Sequence, residues 1–288
     1  MIELTGWSDV LRGLGTLYWL VALGALALAL NKPKAGKNKA MAAAVVLVVF
    51  GALPFTGWLE GRKLKQAYQV QKALFDERCK NAGVKIYKTV DNVEGVLLLK
   101  VRPRLGESDW SNQMLPGATF AHEVSGEEYI ETFLLNAERH GVSARPSDRP
   151  GYRYVDVIES GQRYRYHVEI TKKDDGASEK WATYRSKLIR EQSNKPVPQY
   201  AITYEDDLNL ADRKEWVSGE TVQILDTNTK QVLGEYTSYA METGRGSTNQ
   251  RSPWLLAFTC GNSGGSSSGT QTRYFVDQVL KPAAPERK

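Results

Sequence analysis

The residues able to do chemistry are few and dispersed. There are three histidines, His122, His140 and His167, and two cysteines, Cys79 and Cys260. No histidine stands at metal-ligand spacing from another ligand, and the cysteines are far apart in the chain. Neither a metal nor a cofactor is expected. His122, within ATFAHEVSGEE, is close to Glu123, Glu127 and Glu128 and could work as a general base. That is the enzymatic alternative, an envelope hydrolase with its site near His122 or in the 241–254 loop. No serine occupies a G-x-S-x-G elbow and no phosphate loop occurs, so no residue is assigned a catalytic role.

Two polar segments suit binding better than bond-making. Met241 to Trp254, METGRGSTNQRSPW, combines glycines and hydroxyls with Arg245 and Arg251 and ends on Trp254. Backbone N–H groups and guanidinium donors of this kind can cradle an anion. The spacing is not that of a Walker loop, and a plain connecting loop competes with the anion reading. In QRYRYHVEI, Arg163, Arg165 and His167 share one strand face with Glu169, opposite Tyr164, Tyr166, Val168 and Ile170. The basic face could meet an acidic glycan or a protein partner; a solvated strand face is the alternative. Cys79 and Cys260 are expected to pair if the chain lives in an oxidising compartment. In the chain-entropy model a loop of that length is worth about 5 kcal/mol.

Which compartment that is follows from the elements around these residues. The formal charge is +5 and the mean hydropathy −0.43 over 288 residues, but the apolar content is concentrated near the N-terminus. Leu14 to Leu30 and Ala40 to Leu59 are apolar runs without a charged residue, joined by a connector carrying Lys32, Lys34, Lys37 and Lys39. At a rise of about 1.5 Å per residue each run spans roughly 26 to 30 Å, the hydrocarbon thickness of a bilayer. Trp58 suits an interfacial anchor and Pro54 is expected to kink the second run. A cleaved signal peptide has basic residues before its apolar run, whereas here MIELTGWSDV is acidic and the lysines follow.

The chain is therefore predicted to open with a transmembrane helical hairpin over 1–59, spanning at about 14–30 and 40–59. By the positive-inside rule the four connector lysines stay cytoplasmic and both termini lie outside; Arg62, Lys63 and Lys65 pull the other way. This places the rest of the chain beyond a bacterial inner membrane, in the periplasm. Because the connector supplies most of the net charge, the remainder is nearly neutral and a nucleic-acid partner is not expected. The expected partners are the lipid bilayer and either another protein or a further copy within the membrane. The expected role is a non-enzymatic binding, scaffold or accessory protein of an envelope complex, with a cytoplasm-facing sensor as the reading if the orientation is reversed.

Beyond the hairpin a helical stalk is expected over 60–83, with Leu64, Tyr68, Leu74 and Phe75 near one face and Gly83 as the stop. An α+β domain follows over 84–281: a largely antiparallel sheet with about three packed helices. Strand pairs are predicted at 84–90 with 93–101, turning at Asp91-Asn92, and at 152–159 with 162–170, turning at Ser160-Gly161. Further strands are predicted at 199–206, 220–226 and 231–241, with another possible over 253–259. Helices are predicted from a capping box at Ser125 through Arg139, over 178–192 with Trp181, Tyr184 and Leu188 inward, and over 271–280 with Tyr274, Phe275 and Val279 docked. The Gly/Ser-rich stretch 261–270 is expected to be mobile, ahead of a tail over 282–288.

Overall fold

The computed structural model describes residues 5–32, 36–106, 108–135, 151–172, 184–249, 251–263 and 268–284. The chain divides into two compact units, Met1–Gln69 and Val70–Lys288. Helix α1 (Thr5–Asn31) and helix α2 (Gly36–Cys79) make up the first, and the last turns of α2 belong to the second. Both helices are long and apolar enough to cross a membrane. Many of their apolar side chains are exposed, Leu20 at 61% and Val48 at 70%. Pro54 lies inside α2, and the helix runs on through it. Between the two helices the Tyr18 hydroxyl donates to the Phe50 carbonyl at 2.5 Å.

The second unit is built on a nine-stranded sheet. Its strands are β1 (Gly83–Ile86), β3 (Gly95–Leu98), β4 (Tyr154–Glu159), β5 (Gln162–Lys172), β6 (Tyr184–Gln192), β7 (Tyr200–Asp207), β8 (Val217–Asp226), β9 (Val232–Met241) and β10 (Phe258–Cys260). The order is β1-β9-β8-β7-β3-β4-β5-β6, with β10 also on β9. All pairings are antiparallel except those of β3, which runs parallel to both β4 and β7. All four β3 residues, GVLL, are buried, as an uninterrupted apolar run requires of a central parallel strand. A separate parallel pair joins β2 (Val90–Val93) to β11 (Leu280–Pro282).

One face of the sheet carries the core. Val96, Leu98, Val155, Ile202, Val222 and Tyr236 pack under α3 (Glu127–Leu134) and α5 (Gln271–Val279), which contribute Ile130, Phe133, Leu134, Phe275, Val276 and Val279. Tyr274 is half-buried. The short helix α4 (Leu210–Lys214) is capped by Asn209, whose side chain accepts from the Ala211 and Asp212 amides. At the end of α2, Phe75 packs with Val217 and Met241, and the Gln71 amide donates to the Glu242 carbonyl at 2.7 Å. Cys79 and Cys260 form a disulfide with their Cα atoms 5.9 Å apart, joining that helix end to β10.

The β4–β5 hairpin forms as expected, with positive φ at Ser160 and Gly161 to make the turn. Strands β7, β8 and β9 also fall where predicted. Three expectations need correction. Residues 84–101 are not a hairpin: Asp91-Asn92 lies inside β2, β1 pairs with β9, and β3 pairs with β4 and β7. Alternation identified extended chain there, but not which partner buries it. Residues 184–192 are strand, not helix. Tyr184, Ser186 and Leu188 alternate opposite Lys172, Ile170 and Val168, and pairing with the long β5 overrides helix propensity; Trp181 lies outside the described residues. Helix α3 ends at Leu134 and its cap is Gly126 without a side-chain bond, so Ser125 closes no capping box. In the Gly/Ser stretch Ser263 and Thr270 are buried, and 264–267 lie outside the described residues.

Candidate functional site

The charged residue nearest the end of the central strand β3 that leaves the surface is Arg102. The chain carries it off the sheet and under the loop 103–125. Its Nε donates to Glu123, its Nη2 to Glu220 Oε1 at 2.6 Å and to Thr272 Oγ1 at 3.3 Å, and its Nη1 to Glu220 Oε2 at 3.2 Å. Thr272, in the first turn of α5, secures Glu123 in turn, with its amide donating to Oε1 at 2.6 Å and its hydroxyl to Oε2 at 2.7 Å. The guanidinium lies 4.4 Å from the Phe120 ring centre and 4.5 Å from that of Tyr204. Both carboxylate side chains are at most 1% exposed. Burial opposes the Arg102 charge, but Glu123 and Glu220 overcome it and raise its pKa. Burial pushes the Glu220 carboxyl up, with Arg102 opposing.

Above this cluster lies a cavity of about 120 Å³ with Arg102 and Glu123 in its lining and Leu105, Trp110 and Phe120 among its walls. Gly117, at φ +74°, also lines it, and its amide donates to Asp206 Oδ1 at 2.5 Å. A Cβ at Gly117 would stand 3.9 Å from both Arg102 Nη1 and Glu220 Oε2. Beside the cluster sits a second buried arginine. Arg213 is 0% exposed, and its three side-chain nitrogens have no hydrogen-bond acceptor among the described residues. Burial lowers its pKa, against the opposing influence of Asp206, Asp207 and Glu220.

Of the residues singled out in the sequence, most are held in internal pairs. Arg163 and Arg165 converge on Asp156, which is fully buried: Arg163 Nη1 lies 2.5 Å and Arg165 Nε 2.7 Å from its oxygens. Arg163 also donates to the carbonyls of Ser193, Lys195 and Pro196, and Arg165 stacks 3.7 Å from the Tyr154 ring centre. His167 is half-buried on the same strand. The 241–254 loop does cradle an anion, and the anion is its own Glu242. That carboxylate accepts from the Gly244 amide at 2.8 Å, the Gly246 amide at 2.7 Å and the Arg251 guanidinium. Arg245 pairs with Glu215 at 3.0 Å, and Trp254 is buried, its Nε1 donating to the Asn112 carbonyl at 2.8 Å.

His122 is exposed while its neighbour Glu123 points into the Arg102 cluster, so Glu123 does not orient it. His140 and Lys34 lie outside the described residues. Lys32 and Lys37 are exposed and Lys39 is half-buried. Among the described residues no group of His, Cys, Asp and Glu is arranged to hold a metal ion.

The cavity cluster itself escaped the sequence reading, although one signal was present. Glu220 shares its strand face with Val222 and Ile224, both fully buried. A carboxylate in core register demands a buried cation, and Arg102, just after VEGVLLLKV, is that cation. No protein-family model matches the chain, and no curated protein or solved structure shows significant similarity to it.

Proposed function

We propose that this protein is a membrane-anchored binding or accessory protein of a bacterial envelope, with its sheet domain outside the cytoplasm and both termini on that side. The observation that carries the reading is the Cys79–Cys260 disulfide, which starts from the last residue of the helix that holds the second apolar run. Disulfides persist in oxidising compartments and are rare in the cytosol, so the bridge and the connector lysines agree on orientation. A binding role rather than turnover is supported by the way the buried charges are held. Arg102, Glu123 and Glu220 are clamped by mutual hydrogen bonds, an arrangement that fixes a surface and leaves little freedom to move protons. The anchor makes the bilayer one partner and leaves the other to an envelope component or a protein within the membrane.

The test is a pair of reporters fused after Lys288. A phosphatase that folds only outside the cytoplasm should be active, and a fluorescent protein that matures only in the cytoplasm should stay dark. The opposite pattern overturns the orientation. In parallel, non-reducing electrophoresis should show a mobility change that disappears when either cysteine is replaced by serine.

A further inference from the structure

The two edges of the nine-stranded sheet are not alike. At one, β1 and the short β10 both pair with β9. At the other lies β6, YRSKLIREQ, nine residues long, and among the described residues β5 is its only strand partner. The Ser193 amide donates to the Arg163 carbonyl at 2.9 Å, next to the last strand pair, Tyr164 with Gln192. Hydrogen-bonded pairs alternate along an antiparallel ladder, so the odd-numbered residues of β6 bond to β5. The N–H and C=O groups of Ser186, Leu188 and Arg190 therefore point away from the sheet, as a template for a further strand.

The side chains constrain which strand that is. Laid antiparallel against a second copy about Leu188, β6 sets Arg185 opposite Glu191 on each side of the centre. Leu188 meets Leu188, and Ser186 faces Arg190. The outward-pointing residues then face one another, as backbone bonding requires. Arg185 and Glu191, both exposed, fall on the non-hydrogen-bonded pairs, where side chains approach most closely. Neighbouring registers are worse. A one-residue slip sets outward backbone groups against groups already bonded to β5. A two-residue slip one way sets Lys187 against Lys187, and the other way carries Arg185 past the partner's Gln192.

We propose that β6 is a dimerisation edge, which pairs antiparallel with β6 of a second copy about a two-fold axis at Leu188 and joins the two sheets into one. This deepens the proposed binding function by naming a second copy as the protein partner. It rests on that reading for the choice of binding over turnover, and it does not depend on membrane orientation.

The test is the mass of the full-length protein in detergent, measured by light scattering over a range of concentrations. The wild type should form a dimer. Arg185→Glu should weaken that dimer at least tenfold by setting like charges opposite each other, and adding Glu191→Arg should restore it. Leu188→Pro removes an N–H that points outward, so it spares the β5 ladder and should abolish the dimer; circular dichroism checks that the variants remain folded. Opposed Leu188 Cα atoms would lie about 5.5 Å apart, so Leu188→Cys should cross-link two copies on oxidation. Gln192→Cys, at the far end of the ladder, should not. The native cysteines are already paired with each other. A wild type that stays monomeric overturns the proposal. So does a dimer unchanged in folded Arg185→Glu and Leu188→Pro variants, which would place the contact elsewhere, and so does failure of Glu191→Arg to rescue Arg185→Glu. The reporter fusions can fail while the dimer forms, and the reverse, so the two conclusions are separable.

Discussion

At the scale of single residues, the two buried arginines make opposite predictions. Arg102 is matched by two carboxylates and a threonine. Replacing it with methionine leaves Glu123 and Glu220 buried and uncompensated, and should lower stability by about 3–5 kcal/mol. Arg213 has no acceptor among the described residues, so Arg213→Met should change stability by less than about 1 kcal/mol, because an apolar isostere removes a desolvated charge. Urea unfolding of both variants checks the contrast; equal losses would refute it. The titrating groups predict a pH profile. Burial pushes the carboxyls of Glu220 and Asp277 up, so the folded chain holds protons that the unfolded chain has released. Their contribution is present in acid and is lost as pH rises from the ordinary carboxylate range, about 4, through the raised folded values. Burial likewise pushes Tyr204 and Tyr236 up to about 12, so stability should fall again above about pH 10, where unfolded tyrosines ionise. Unfolding free energies measured across that range should show both declines, and Glu220→Gln should flatten the first.

At the scale of elements, the disulfide is the joint that matters most. It closes a separation of 181 residues and ties the last turn of α2 to β10, which pairs with β9. Removing it frees one end of the domain's covalent frame and enlarges the unfolded ensemble. The Cys79→Ser, Cys260→Ser double variant should lose about 2–5 kcal/mol relative to the oxidised protein. Added reductant should destabilise the wild type by a similar amount and leave the double variant unchanged. The elements also explain which local readings were secure. Strand β5 was legible because Tyr166 and Val168 alternate with polar residues, and α5 because Phe275 and Val279 recur on one face. The segment 184–192 misled because Tyr184 and Leu188 satisfy a helical spacing as well as a strand period.

At the scale of the whole molecule, the proposed orientation rests on a small difference in charge. Lys32, Lys34, Lys37 and Lys39 outnumber Arg62, Lys63 and Lys65 on the other side of the second apolar run. Replacing the four connector lysines with glutamine should reverse or mix the topology, seen as loss of extracytoplasmic reporter activity and gain of cytoplasmic fluorescence. The Cys79–Cys260 bridge should be lost in the same inverted fraction, since it depends on the compartment. Unchanged reporters would mean that something other than the connector charge sets the orientation.

The sequence by itself determined the features that are written locally. Two uncharged apolar runs specify helices fit for a bilayer, period-two alternation specifies most of the strands, and a mixed α+β domain follows from their arrangement. The pairing of Cys79 with Cys260 was also accessible, because two cysteines allow one intrachain pairing. What only the tertiary structure decided is which charges are available. Arg163, Arg165 and Arg251 read as free binding groups until Asp156 and Glu242 proved to be their buried counterions. Arg102, Glu123, Glu220 and Thr272 looked unrelated until the fold brought them together from four parts of the chain. The reason is physical: a buried charge must find its partner wherever folding places one, and sequence separation carries no record of that distance.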